Sequence, residues 1–239
     1  MNNSYEILIN LFDKYDLLET ERIEIYNIIK NIFLHKEFQR RFNNDFLHHG
    51  NTTLGEHILE DTIITYLLLS NEKGKGIDTE LALKISMMHD LYTNPWQNSK
   101  VKKKSVYHLH GFSHPLEAVI NSICWFKEEF KDDYKARILI DGIIHHMYPL
   151  PVLSYKESND NELELNNYKL LKKISKKHKS MIFESSNRNK MGKLSLSPSY
   201  YIEGRIMARA DKIASVKQLD CVCDATALVT GKNKKLVQN

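Results

Sequence analysis

Apolar residues recur at three- and four-residue spacing through most of this chain, the pattern of helices with one buried face. It predicts helices over "EILINLFDKY" (6–15), "TERIEIYNIIKNIFLHKEFQRRF" (20–42), "GEHILEDTIITYLLLS" (55–70) and "DTELALKISMMHDL" (78–91). Further helices are predicted over "HPLEAVINSICWFKEEF" (114–130), "DYKARILIDGIIHHM" (133–147), "NELELNNYKLLKKISKKHKSMIF" (161–183) and "SYYIEGRIMARADKIASVKQL" (199–219). Asn51, Thr52 and Thr53 offer N-caps ahead of the third helix. Pro115 falls near the first turn of the fifth, where a missing N–H costs little, and Pro149 and Pro151 follow the end of the sixth. No segment alternates cleanly between apolar and polar positions, so the expected fold class is all-α. Residues 93–111 and 184–198 are the longest non-helical stretches, of the kind that carry function. With no internal repeat and no low-complexity linker, the chain reads as a single all-helical domain over 1–239. Its first 45 residues form a helical extension whose apolar faces pack on a core of 46–230.

Composition narrows this reading. The chain has 239 residues, 42% of them hydrophobic, enough for a sizeable core. Its net charge of +4 is too small to argue for nucleic acid. Basic residues cluster in "KVKKK" (100–104) and "KKISKKHK" (172–179), either as solvated surface or as a rim that attracts an anion. Cys124, Cys221 and Cys223 form no disulfide framework and no CxxC site, which fits a reducing cytoplasm. The N-terminus lacks the apolar core of a signal peptide, and no stretch is apolar enough to span a membrane. The expectation is a soluble cytoplasmic protein, with an oligomer left open.

Candidate chemistry lies where the helices end. "ISMMHDLY" (85–92) puts His89 and Asp90 side by side at the end of an apolar run. A buried aspartate is costly unless it is paired or binds a metal. Such a dipeptide also arises by chance, so the partners decide. His57, His114, the pair His145–His146, and Asp211 each sit in or at the end of a different predicted helix. Imidazole suits iron, zinc, manganese and nickel, and carboxylates suit harder ions and can bridge two. Several helices converging on one polar centre is how helical proteins build metal sites. Helices 114–130 and 133–147 are joined by a short link and should run antiparallel, bringing His114 beside His145–His146.

This ordered set resembles the HD-domain metal-dependent phosphohydrolases. Their hallmark is a histidine, a later His-Asp pair ending a helix, and a distant aspartate, matched here by His57, His89–Asp90 and Asp211, with His89 32 residues after His57. Binuclear members add a histidine often followed by proline and then a His-His pair, matched by His114–Pro115 in "SHPLEA" and His145–His146 in "IIHHMYP". The likeness covers roughly 49–220, and "HGNTTLGEH", "LHGFSHP" and "HMYPL" resemble segments of an uncharacterised bacterial subgroup.

The resemblance implies an HD-domain helical bundle and a phosphohydrolase, a phosphomonoesterase or phosphodiesterase, acting on a nucleotide or other small phosphoester. It implies a divalent transition metal, iron, manganese or nickel with magnesium possible, and two ions bridged by Asp90 with a hydroxide between them. His57, His89, Asp90 and Asp211 would hold the first ion. Asp90, His114 and His146 would hold the second, with His145 a ligand or a hydrogen-bond partner. Lys104, Arg205, Arg209 and Lys212 are the candidates for binding an anionic phosphorylated substrate. Lys212, His110 and Lys104 are the candidates for protonating the leaving group. His110 is also the substitute for His114 if the register differs. His48 and His108 are expected to be exposed, His49 is open, and His35 and His178 read as surface histidines. Members that cleave cyclic di-GMP resemble one another in a lysine three residues after the aspartate, where this chain has Thr93, and in a Gly-Tyr-Pro element that it lacks. That makes cyclic di-GMP a poor expectation. The competing classes are a di-iron oxygenase on the same helical frame and a non-enzymatic metal-stabilised nucleotide sensor.

Overall fold

The computed structural model describes residues 3–48, 51–72, 76–93, 110–150, 152–154 and 193–218. The predicted helix at 161–183, Lys104, His49, His108, His178 and both basic runs lie outside the described residues.

Helices α1 (Asn3–Lys14) and α2 (Glu19–Phe33) open the chain. The predicted helix 20–42 breaks at Leu34–His35. There His35 turns to extended backbone and its ring accepts the Glu37 N–H as the N-cap of the short α3 (Lys36–Gln39), followed by a 3₁₀ turn at Arg40–Phe42. The break lets Phe38 and Arg41 bury on the core. His35 itself is half-buried, its ring 4.9 Å from that of Phe126.

The central element is α4 (Leu54–Ser70), capped by Thr53, whose side chain accepts from the Glu56 N–H. Nearly every α4 side chain is buried, because α1, α5 and α8 all pack against it. Each fully buried Ile or Leu contributes about 1.5–3 kcal/mol, so α4 is the spine of the core. Helix α5 (Thr79–Met88) starts at an Asp78 cap and stops at His89. Helix α6 (His110–Trp125) begins four residues before the predicted start and carries Pro115 inside its second turn. A 3₁₀ turn (Lys127–Phe130) leads to α7 (Asp133–His145), capped by Asp132. Helix α8 (Ile202–Gln218) closes the bundle. No described helix is long and apolar enough to cross a membrane.

The described chain is all-α apart from a single bridge between Leu47 and Thr53 and one ladder: β1 (Val152–Ser154) pairs antiparallel with β2 (Lys193–Ser195), Val152 opposite Ser195. Three-residue strands carry no readable period, and their pairing is set by segments far apart in sequence. Helices α7, α8 and α5 meet tightly. A Cβ on Gly204 would fall 2.6 Å from the Gly142 Cα, and one on Gly142 would fall 2.6 Å from the Ile85 Cδ1. This close crossing lets α8 settle deep between α4, α5 and α7 and brings Asp211 to the bundle centre.

Candidate metal centre

Five elements deliver histidines and carboxylates to one buried point. From α4, His57 and Asp61 lie one turn apart on the same face, both fully buried. His89 and Asp90 follow the end of α5, His114 lies one turn into α6, His146 follows the end of α7, and Asp211 projects from α8; all five are buried.

On one side, the His57 Nε2 lies 3.2 Å from the Asp61 Oδ2 and 3.4 Å from the Asp211 Oδ1, and the His89 Nε2 lies 3.2 Å from the same Asp61 oxygen. On the other, the Asp90 Oδ1 lies 3.0 Å from the His114 Nε2 and 3.5 Å from the His146 Nε2, which are 3.0 Å from each other. The second Asp90 oxygen, Oδ2, lies 3.8 Å from the His89 Nε2. The two oxygens of Asp90 thus face different partners.

Tautomers follow from the backbone. The His89 Nδ1 is 2.7 Å from the Ser86 carbonyl and the His146 Nδ1 is 2.7 Å from the Ile143 carbonyl. A carbonyl only accepts, so both Nδ1 atoms carry the proton and donate, leaving each neutral ring with its Nε2 lone pair aimed at the cluster. Yet the His89 Nε2 and both Asp61 oxygens have no hydrogen-bond partner among the described residues. Buried polar atoms left in this way cost about 1–3 kcal/mol each. Ligands held roughly 2.0–2.2 Å from a shared ion lie about 3.0–3.6 Å apart. The Asp61 Oδ2, 3.2 Å from each of two imidazole nitrogens and without a hydrogen bond among the described residues, falls in that range, so the donor set fits a divalent cation.

The charges point the same way. Three carboxylates are packed out of water. Burial opposes charge on Asp90 and Asp211, but His89 and His114 hold Asp90, and His57 holds Asp211, below the ordinary range. Burial also works against a charged His57, yet Asp61, Asp211 and Asp90 outweigh it and raise its pKa to about 10. Burial pushes Asp61 well up. His146 is driven down to about 3 by burial, then by His89 and His114.

A polar clamp fixes the segment after Asp90. The buried Arg41 donates to the Tyr92 carbonyl and the Glu37 carbonyl, its guanidinium 4.9 Å from the centroid of the Trp125 ring. Asn121 donates to the Leu91 carbonyl and to the Thr93 Oγ1, and the Thr93 N–H donates to Glu117 at 2.9 Å. Thr93, at the position where the cyclic di-GMP members carry a lysine, is occupied in holding the backbone.

Other expected residues are placed differently. His145 turns away from the cluster: its Nδ1 is 3.1 Å from the Ser197 carbonyl and its Nε2 3.7 Å from the Asp141 Oδ1. Consecutive helical residues point about 100° apart, so only one of His145 and His146 faces inward. Lys212 donates to the His146 carbonyl at 2.8 Å and to the Ala208 carbonyl, and burial lowers its pKa. Lys212, Arg205, Arg209 and His145 line a cavity of about 650 Å³, largely apolar otherwise, with Tyr148 and Ile213 in its wall. Arg205 donates to the Ser199 and Tyr200 carbonyls and so shapes that wall, while Arg209 is exposed on it. His110 is the first residue of α6.

Two cluster residues lie outside the expected ligand set. Asp61 carried a legible cue: it is an acid inside an apolar helix, four residues after His57 and hence on its face. His48, expected to be exposed, is half-buried against the His57 ring, and no helical period reaches it because it sits in the loop before α4.

No family model matches the chain, and neither the curated proteins nor the solved structures compared with it contain a match.

Proposed function

We propose that this protein is a metal-dependent phosphohydrolase acting on a nucleotide or another small phosphoester. The observation that carries the reading is the pair of buried His–Asp clusters joined at Asp90, with a cation-lined cavity beside them. The resemblance in ligand order to the HD-domain phosphohydrolases supports it.

His57, Asp61, His89 and Asp211 would hold one ion, and Asp90, His114 and His146 a second. Bound divalent ions supply Lewis acidity toward phosphoryl oxygens and a water acidified toward neutrality. The chain's residues do the rest. Ser86 and Ile143 carbonyls fix the tautomers of His89 and His146. The clamp of Arg41, Asn121 and Glu117 holds Asp90 in place to serve both sides. Arg209 and Lys212 put positive charge in the cavity, where a phosphate gains from it, and the apolar wall accepts the organic part of the substrate.

Metal-replete protein incubated with nucleotides and bis(p-nitrophenyl) phosphate in added Mn²⁺ should release phosphate or nitrophenol, and chelator should stop it. Metal-replete protein that is inert across this panel, but consumes dioxygen in its iron form, would replace this reading by the oxygenase one. Inertness in both assays would leave the sensor.

A further inference from the structure

We infer that His48 is a further ligand of this centre, carried by the loop before α4; the inference rests on the metal-binding reading above. The loop is closed on itself. The Leu54 N–H donates to the Phe46 carbonyl at 2.7 Å, the His48 N–H donates to the Thr52 carbonyl at 2.9 Å, and Leu47 pairs antiparallel with Thr53. Thr53 is also the cap of α4, so the backbone of His48 is tied to the helix that carries His57. The His48 ring stacks on the His57 ring, centroids 4.0 Å apart and planes 29° from parallel.

This puts the His48 Nε2 3.8 Å from the Asp90 Oδ2. That gap is too long for a hydrogen bond. It is also too short for an interposed water, which at about 2.8 Å from each neighbour and a near-tetrahedral angle spans roughly 4.5 Å. Two ligands sharing one ion at about 2.1 Å each can lie anywhere up to ~4.2 Å apart. A nitrogen of His57 lies within reach of the same pair, so His48, His57 and Asp90 converge. The His48 side chain is 16% exposed against 0% for His57 and 4% for Asp90, which places it on the solvent side of the cluster. His48 therefore supplies an imidazole to the ion faced by the Asp90 Oδ2, from the solvent side of the cluster.

The test uses the full chain loaded with Co²⁺, whose visible absorption reports its ligands, and titrates Co²⁺ into the stripped protein. His48→Gly should weaken binding at least tenfold and change the absorption bands, and added imidazole should restore both. His48→Gln, with melting followed by circular dichroism, shows whether folding is kept. If His48→Gly or His48→Gln stays folded and binds Co²⁺ with wild-type affinity and spectrum, His48 is not a ligand and the inference falls alone. If the wild type itself binds no Co²⁺ while remaining folded, the metal reading falls and takes this inference with it.

Discussion

Glu60 and Asp61 are consecutive carboxylates on α4, both taken out of water, and the two regions they enter treat them in opposite ways. Glu60 points toward α1, where the Lys14 Nζ and the Tyr15 Oη each donate to its Oε1 at 2.8 Å. Asp61 points into the bundle centre, where two imidazole nitrogens stand 3.2 Å away and neither of its oxygens has a hydrogen bond among the described residues. The first is a buried acid whose cost is met by protein donors. The second is a buried acid whose cost is left for a cation to meet. Burial of charge alone therefore says little about function, and the state of its partners says much.

The sharpest way to break this comparison is Asp61→Asn. Loss of an anionic donor should weaken the ion shared with His57, His89 and Asp211 on the order of 100-fold or more, read by titrating Mn²⁺ or Co²⁺ into stripped protein. The metal-free fold should be no less stable in urea at pH 7. Burial raises the Asp61 pKa in the fold by more than the neighbouring His57 lowers it, so this carboxyl costs the metal-free fold stability as pH rises above its unfolded value. A large loss of stability in the metal-free variant would show that Asp61 is satisfied as Glu60 is.

Protons give the next largest effect. His57, raised to about 10, must give up a proton before its Nε2 can bind an ion. Affinity at that side should rise about tenfold per pH unit between pH 6 and 8, with one proton or more released per ion. Calorimetry in two buffers of different ionisation enthalpy counts the protons. His146, held near 3, is already neutral there and should contribute none. The same values set the metal-free stability. His57 stabilises fully below its unfolded pKa of 6.5, an effect lost as pH rises toward 10. His146 costs stability as pH falls from 6.5 toward 3.

Glu60→Ala should show the reverse of Asp61→Asn. It strips an acceptor from Lys14 and Tyr15 and should destabilise the fold by about 1–3 kcal/mol in urea melts, with ion affinity within about threefold of wild type. An affinity loss as large as that of Asp61→Asn would merge the two regions into one. The smallest effect belongs to His145→Ala. Its ring engages Ser197 and Asp141 outside the cluster, so the number of bound ions by elemental analysis should not change, whereas His146→Ala should lose the second ion.

Much of this was legible in the chain. The helical period and the cap at Thr53 are local signals, because the 3.6-residue repeat and an N-cap hydrogen bond need no knowledge of the rest of the molecule. So is the antiparallel return of α6 and α7 that sets His114 beside His146. The gathering of His57, His89, Asp90, His114, His146 and Asp211 followed from their positions on apolar helices, since polar groups on buried faces must find one another or an ion.

Other features were decided only by the tertiary structure. The break at His35 needed the pocket that takes Arg41. The pairing of β1 with β2 joins segments some forty residues apart along the chain. Which of His145 and His146 looks inward depended on the rotation of α7 about its axis, set by the Gly142–Gly204 crossing. The division of labour between Glu60 and Asp61, and the return of His48 onto His57, depended on what stands opposite each side chain. Sequence specifies which groups a chain owns and which local turn each prefers. The free energy of a buried charge is set by neighbours brought in from other helices, and those become known only when the helices are packed.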